Sequence, residues 1–171
     1  MNDRISRPEL YMGVAELFAQ RSTCDRLHVG VVIVNDHRII TTGYNGALKG
    51  SQHCHPDICI IDAACRRAVH AEANAIAWAA KEGIALEGTT MYCTHSPCLK
   101  CAELIIQSGI TQVTFKNQFR TNEGVLLLKE HKVAVYYLQD DKYVYFHAPN
   151  GPLMFGEPPT PRKPGRPRKT L

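Results

Sequence analysis

Long hydrophobic runs are missing from this sequence. Its apolar stretches, such as residues 29–34 and 125–128, are far shorter than the roughly 20 residues that a membrane-spanning helix needs. The chain also does not open with the basic segment, apolar run and small-residue cleavage site of a secretory leader. We therefore expect no membrane association and a cytoplasmic location, in the host cytoplasm if the source is viral.

An excess of charge of one sign is also missing from most of the chain. The formal net charge is +4, but residues 161–169 alone carry five positive side chains and no acidic one. Without them the net charge falls from +4 to −1, which excludes a broad basic DNA-binding face on the body. With 171 residues, the chain suits one domain with a full-sized core and a short appendage.

The seven cysteines are an odd number in a chain that we expect to stay in a reducing compartment. A disulfide framework is therefore a poorer explanation for them than metal binding.

The apolar spacing predicts an α/β domain with a mixed sheet, since two early strands precede an alternation of helices and strands. We predict helices over residues 8–20, 68–81, 99–108 and 122–131, and strands over 29–34, 38–42, 89–94, 112–115 and 132–138. Residues 143–147 could be a final strand or an extension. A glycine-rich loop is predicted over 43–50. From Pro149 onward Pro, Gly, Arg and Lys dominate, which predicts a folded domain over 1–148 and a flexible tail over 149–171.

Two short segments carry most of the chemical information, His70-Ala71-Glu72 and Pro97-Cys98-Leu99-Lys100-Cys101. Two thiolates spaced Cys-x-x-Cys at a helix start can converge on one metal, where the helix dipole favours their anionic form. His70 would complete three protein ligands, and a catalytic zinc keeps its fourth position for water. Zinc lowers the pKa of that water, and Glu72 lies where a carboxylate could shuttle its proton.

Each segment alone has an ordinary explanation. A lone Cys-x-x-Cys fits a redox pair or half of a structural zinc site, with Glu72 a bystander. The two segments in this order, each at a predicted helix start, favour the catalytic site.

On these residues the chain resembles the deoxycytidylate (dCMP) deaminase family. The resemblance extends from about residue 5 to 138 and includes Arg21-Ser22-Thr23-Cys24, Gly43-Tyr44-Asn45-Gly46, the two segments above and residues 105–110. It implies a three-layer α/β/α cytidine-deaminase-like fold with a central mixed sheet of about five strands. The implied reaction is hydrolysis of dCMP to dUMP and ammonia, which would supply dUMP for thymidylate synthesis.

The resemblance also implies further roles. Asn45 would bind the substrate sugar, Arg26 is our candidate for the phosphate, and Ala71 and Phe119 would lie at the substrate. A homohexamer activated by dCTP and inhibited by dTTP is implied, with the effector at Tyr44, Gly46, Lys49 and Gly50. Asn45 could equally be a turn residue, and Arg26 a solvated loop charge.

Phe119 departs from the family, whose members usually carry Tyr near the substrate ring. The missing hydroxyl leaves a less polar and roomier wall, so we hypothesise that 5-methyl-dCMP is also a substrate.

The remaining cysteines suggest a second metal. Cys24, Cys54, Cys59 and Cys65 could close a structural zinc site, with His53 as an alternative ligand, and would hold residues 50–65 in place. Free buried thiols are the other explanation. We assign Cys93, within a predicted strand, to core packing.

Residues 161–169 resemble an AT-hook, in which Gly-Arg-Pro lies in the minor groove of A·T-rich DNA. A solubilising extension explains them as well. Two rival functions follow: a deaminase acting on cytosine in nucleic acid, and a non-catalytic zinc scaffold tethered to DNA by this tail.

Overall fold

Four helices and nine strands occur in the part of the chain that the computed structural model describes, residues 4–55, 67–139, 142–145 and 154–155. The helices are α1 (Arg7–Ala19), α2 (Ala71–Glu82), α3 (Leu99–Gln107) and α4 (Glu123–Glu130). The strands are β1 (Gly30–Asn35), β2 (Arg38–Tyr44), β3 (Gly46–Ala47), β4 (Ala68–Val69), β5 (Thr90–His95), β6 (Gln112–Asn117), β7 (Ala134–Gln139), β8 (Lys142–Tyr145) and β9 (Met154–Phe155).

The main sheet is mixed and has the strand order β2-β1-β5-β6-β7-β8-β9. Strands β5, β6 and β7 are parallel, whereas β1 pairs antiparallel with both β2 and β5. The predicted mixed sheet of about five strands is thus confirmed as β2-β1-β5-β6-β7, and β8 and β9 extend it at the β7 edge. Strand β9 lies beyond residue 148, where we placed the domain boundary, and that boundary stays a prediction.

The two faces of the sheet pack against different helices, because successive side chains of a strand point to opposite faces. Val31 and Ile33 of β1 join a buried cluster with residues of α2, α3 and α4. Val32 and Val34 join a second cluster with Tyr11, Met12 and Ala15 of α1. The predicted α/β/α layering is confirmed.

A capping box begins α1. The Ser6 side chain accepts a hydrogen bond from the Glu9 backbone N–H (3.3 Å), and the Glu9 carboxylate accepts one from the Ser6 N–H (3.2 Å). These bonds satisfy two donors that a helix start leaves unpaired, and Pro8 follows where no N–H is needed.

The start of α2 differs from the sequence prediction. The alanine-rich segment predicted a helix from residue 68, but Ala68 and Val69 pair with Gly46 and Ala47 as the small sheet β3-β4. The helix begins at Ala71, with His70 in extended conformation as its N-cap residue. Strand pairing therefore overrides helix propensity at residues 68–69. The predicted loop 43–50 is also partly strand, since β2 runs to Tyr44.

Among the residues described, no helix has both the length and the apolar character to cross a bilayer.

Candidate active site

The side chains of His70, Cys98 and Cys101 converge where two helices begin. The Nδ1 atom of His70 lies 3.5 Å from the Cys98 Sγ and 3.4 Å from the Cys101 Sγ. All three potential ligand atoms lie within 4.8 Å of one another, and no second group of this kind occurs among the described residues. The structure therefore brings together the three ligands predicted for the catalytic metal.

The local fold explains why these side chains are available. His70 is the N-cap residue of α2 and Cys98 that of α3, and neither side chain caps its own helix by a hydrogen bond. The two side chains face each other, and the N-terminal dipole of α3 favours negative charge on its sulfur ligands.

The electrostatics suit a metal cation. The hydrogen bond between the two thiols lowers the pKa of Cys98 to about 4, with His70 acting in the same direction, and raises the pKa of Cys101, so one negative charge is shared by the metal-free pair. Cys98 is thus ready as a thiolate, the form that binds metal. Two sulfurs and one imidazole nitrogen are a donor set that zinc accepts, and three protein ligands leave a position for water. These residues fit a catalytic zinc.

Glu72 lies in the first turn of α2, two residues beyond His70, and is only 4% exposed. Burial raises the pKa of its carboxyl group, opposed by a backbone hydrogen bond and then by the nearby charge of His70. A carboxyl group whose pKa moves upward toward neutrality is suited to taking up and releasing a proton. The predicted proton shuttle therefore lies beside the ligand group in an environment that fits its role.

A hydrogen-bond network at the end of β5 was not predicted from the sequence. The Gly30 N–H donates to the Thr94 Oγ1 (3.2 Å), and that hydroxyl is 3.1 Å from the Nδ1 of His95. Burial lowers the pKa of His95, which favours the neutral imidazole. The Asn117 side chain donates to the Thr94 carbonyl (2.9 Å). The network fixes the backbone that leads into Pro97 and Cys98.

Asn45 has a structural role in addition to any contact with substrate. Its Oδ1 accepts a hydrogen bond from the Val29 N–H (2.8 Å), and its Nδ2 donates to the Leu27 carbonyl (2.7 Å). The side chain therefore fixes the loop before β1, and its assignment to the sugar stays a prediction.

Replacing Asn45 by Ala should destabilise the protein by about 2 kcal/mol, because the Val29 N–H and the Leu27 carbonyl both lose their partner in two part-buried hydrogen bonds. The change is measured as the shift in the free energy of unfolding in urea. Asn35→Ala is the control, since Asn35 is exposed at the end of β1. Equal stability of the two variants would show that the two bonds of Asn45 contribute nothing.

The other predicted substrate residues are spread around the site. Ala71 is buried between His70 and Glu72, whereas Arg26 is exposed on the loop before β1. The Phe119 N–H donates to the Ser96 Oγ (2.7 Å), and the Arg120 guanidinium lies 5.9 Å from the centre of its ring. Phe119 is thus tied to the segment that carries Cys98.

A separate cavity of about 1000 Å³ lies between β2, the β3-β4 sheet and the outer side of α2. We call it the α2 groove. Its lining includes all four residues predicted to bind an effector, Tyr44, Gly46, Lys49 and Gly50, together with Trp78 and Lys81. None of the three metal-ligand candidates lines it, so the groove is distinct from the metal group.

Two of the four cysteines predicted for a second metal are described. Cys24 and Cys54 are both buried, and the Cys54 N–H donates to the carbonyl of Thr23, the neighbour of Cys24 (3.2 Å). Cys59, Cys65 and the basic tail lie outside the described residues. His53, the alternative ligand, is exposed at the α2 groove. Cys93 is buried in β5, as expected for core packing.

Comparison with known proteins agrees with this geometry. Residues 5–117 match the family described as the cytidine and deoxycytidylate deaminase zinc-binding region. The chain is 44% identical over 121 residues to ComE operon protein 2 of Bacillus subtilis, covering 70% of this chain and 64% of that protein. It is 40% identical over 129 residues to the deoxycytidylate deaminase of Mycobacterium phage D29, covering 67% of this chain and 99% of that one.

Among solved structures, the dCMP deaminase of cyanophage S-TIM5 in complex with dCMP and dUMP is similar, with a TM-score of 0.70 and 36% identity. That match covers 75% of this chain and 94% of the phage protein. The chain thus spans less than two thirds of the Bacillus protein but nearly the full length of both phage proteins.

Proposed function

The chain belongs to the cytidine and deoxycytidylate deaminase family, and on that premise we propose that it hydrolyses dCMP to dUMP and ammonia. The observation that carries the proposal is the convergence of His70, Cys98 and Cys101 with the buried Glu72 beside them. Relatives named deoxycytidylate deaminase, and a similar phage structure that holds dCMP and dUMP, support this choice of substrate. Supply of dUMP for thymidylate synthesis follows from the product.

The chemistry divides between a metal and one carboxylate. Zinc held by His70, Cys98 and Cys101 would supply a water with a lowered pKa. Glu72 would take one proton of the attacking water as its oxygen bonds to C4 of cytosine, and would deliver that proton to the ring N3. The carboxylate would then take the second proton, from the hydroxyl group formed at C4, and deliver it to the departing amine, so that ammonia leaves and the C4 carbonyl forms. One water is consumed for each ammonia released.

A substrate panel tests the assignment against its rivals. We expect ammonia release from dCMP at a higher kcat/KM than from deoxycytidine, dCTP or single-stranded DNA. Preference for single-stranded DNA would support the nucleic-acid deaminase, and absence of turnover on every substrate by zinc-loaded protein would support the scaffold. The near-neutral body of the chain favours the small substrate.

Phe119 should set the tolerance for a 5-substituent. We expect the wild type to deaminate 5-methyl-dCMP to dTMP, and Phe119→Tyr to lower the 5-methyl-dCMP to dCMP ratio of kcat/KM by about tenfold, which is the cost of crowding one methyl group. Phe119→Leu, which also lacks the hydroxyl, is the control. If the wild type and Phe119→Tyr had the same ratio of kcat/KM for the two substrates, Phe119 would not set this specificity.

The α2 groove is our proposed effector site. Its cavity has the size of a nucleotide pocket, and Lys49 and Lys81 offer positive charge to a triphosphate. We expect dCTP to activate the enzyme and dTTP to inhibit it, within the homohexamer that the family resemblance implies.

Lys49→Ala should remove one charge-assisted hydrogen bond to the triphosphate. We therefore expect the dCTP concentration for half-activation to rise by about tenfold and the unactivated rate to stay unchanged. Lys116→Ala is the matched control, because Lys116 forms an exposed ion pair with Glu16 outside the groove. Activation by dCTP that Lys49→Ala does not alter would place the effector elsewhere.

We further propose a second, structural zinc on Cys24, Cys54, Cys59 and Cys65. It is supported by the burial of Cys24 and Cys54 and by the hydrogen bond from the Cys54 N–H to the carbonyl of Thr23, the residue before Cys24. Such a site would link the loop before β1 to the segment that leads to His70.

A further inference from the structure

The helix that carries His70 and Glu72 lies directly on a glycine of the sheet. A Cβ atom added at Gly43 of β2 would lie 2.4 Å from the Ala71 carbonyl oxygen and 2.8 Å from the Ala75 nitrogen. Both atoms belong to the α2 backbone, which cannot yield as a flexible side chain can. Ala71 is the residue between His70 and Glu72, so any shift of its peptide moves both.

The other half of the metal group contacts a second glycine. Gly124 is buried in the first turn of α4, and a Cβ atom there would lie 2.2 Å from the Pro97 carbonyl oxygen and 2.8 Å from that of Cys98. The Cys98 carbonyl also accepts the first hydrogen bond of α3, from the Ala102 N–H (2.9 Å). Displacing this peptide therefore shifts Cys98 and the helix that carries Cys101 together.

From these contacts we infer that Gly43 and Gly124 are positioning residues for the metal group. Gly43 sets the height of His70 above the sheet, and Gly124 sets the position of the Cys98 peptide. These two contacts together set the distances from the His70 Nδ1 to the two sulfurs. This inference rests on the proposed zinc enzyme and concerns metal binding, so it can be tested independently of the substrate.

Other glycines of the chain provide matched controls. Gly109 is as crowded as Gly43, because an added Cβ would lie 2.0 Å from the Glu87 Oε2, and its φ of +77° lies in the left-handed region that favours glycine. It follows the end of α3 that lies opposite to Cys98. Gly13 of α1 has open space around an added Cβ. Gly109→Ala thus reports the cost of crowding and backbone strain away from the metal group, and Gly13→Ala the cost of the substitution alone.

The experiment compares the four Gly→Ala variants by zinc affinity, measured by chelator competition, and by the absorption spectrum of the cobalt-substituted protein. We expect Gly43→Ala and Gly124→Ala to bind zinc about 10- to 100-fold more weakly, the range for residues that orient metal ligands. Their cobalt–thiolate bands should shift in energy or intensity. Gly109→Ala should lower the melting temperature but keep zinc affinity within about twofold of wild type, as for a distant site.

Wild-type zinc affinity and cobalt spectra in Gly43→Ala and Gly124→Ala would overturn the inference. So would equal losses of affinity in Gly109→Ala, because crowding and strain alone would then explain them. A wild type that binds zinc but does not deaminate dCMP would contradict the proposed function and leave this test in force.

Hydrogen exchange of the wild type covers the case in which a variant does not fold. The Leu126 N–H bonds to the Asn122 carbonyl in the first turn of α4 (2.9 Å), and the Leu10 N–H bonds to the Ser6 carbonyl in the first turn of α1 (3.0 Å). If Gly124 couples α4 to the metal group, removing zinc should speed amide exchange at Leu126 more than at Leu10. We expect the ratio of the Leu126 exchange rate to the Leu10 exchange rate to rise by about tenfold, the lower end of the change in metal affinity that orienting residues cause. An unchanged ratio would overturn the coupling.

Discussion

Glu72→Gln should lower kcat for dCMP by about 10²- to 10⁴-fold, the contribution of a positioned general acid–base group. The amide has nearly the shape of the carboxyl group but can neither take a proton from water nor give one to the departing amine. Glu72 is nearly fully buried, and exchanging a buried ionisable group for a neutral one of equal size does not weaken the fold through charge burial. The loss should therefore appear in kcat, with zinc content and melting temperature preserved.

The measurement is ammonia release at saturating dCMP, with zinc content determined on the same preparation. Glu82→Gln is the matched control, because Glu82 ends the same helix but its side chain is half-exposed and paired with Lys81. Glu72→Gln protein that contains zinc and turns over at the wild-type rate would exclude Glu72 as the proton shuttle.

The metal group could be predicted from the sequence because its information is local. The Cys98–Cys101 spacing and the helix start at Cys98 are written within four residues, and His70-Ala71-Glu72 within three. The continuous apolar run over residues 31–34 likewise predicts a strand that is buried on both faces, because successive side chains point to opposite faces. The layering followed once the helices and strands were located.

Features that depend on distant partners were not accessible to the same reasoning. The alanine-rich start of α2 predicts helix from residue 68, and only its pairing with β3 changes that outcome. Asn45 bonds a loop 16 and 18 residues earlier, and nothing around it indicates which backbone atoms it will meet. Gly124 is an ordinary helix residue in sequence, and its importance comes from the Pro97 and Cys98 peptides against it.

A second zinc would make the metal stoichiometry informative. We expect two zinc ions per chain, one of which is lost in Cys24→Ser with a lower melting temperature but with residual deamination. The two sites then separate by function, since a structural ion stabilises the fold and a catalytic one supplies the nucleophile.

Removing zinc from the catalytic group should lower dCMP deamination by about 10³-fold or more, because activating water at neutral pH is worth several kcal/mol of barrier. Dialysis against a chelator, followed by re-addition of zinc, measures the loss and its recovery. Cys101→Ser should reproduce the loss without recovery, since its sulfur lies 3.4 Å from the His70 Nδ1. Cys93→Ala is the matched control, because Cys93 is equally buried but lies in β5 outside the ligand group. Full activity in zinc-free protein, or in Cys101→Ser, would mean that the attacking water is activated without this group, and the assignment of His70, Cys98 and Cys101 as the catalytic metal ligands would be wrong.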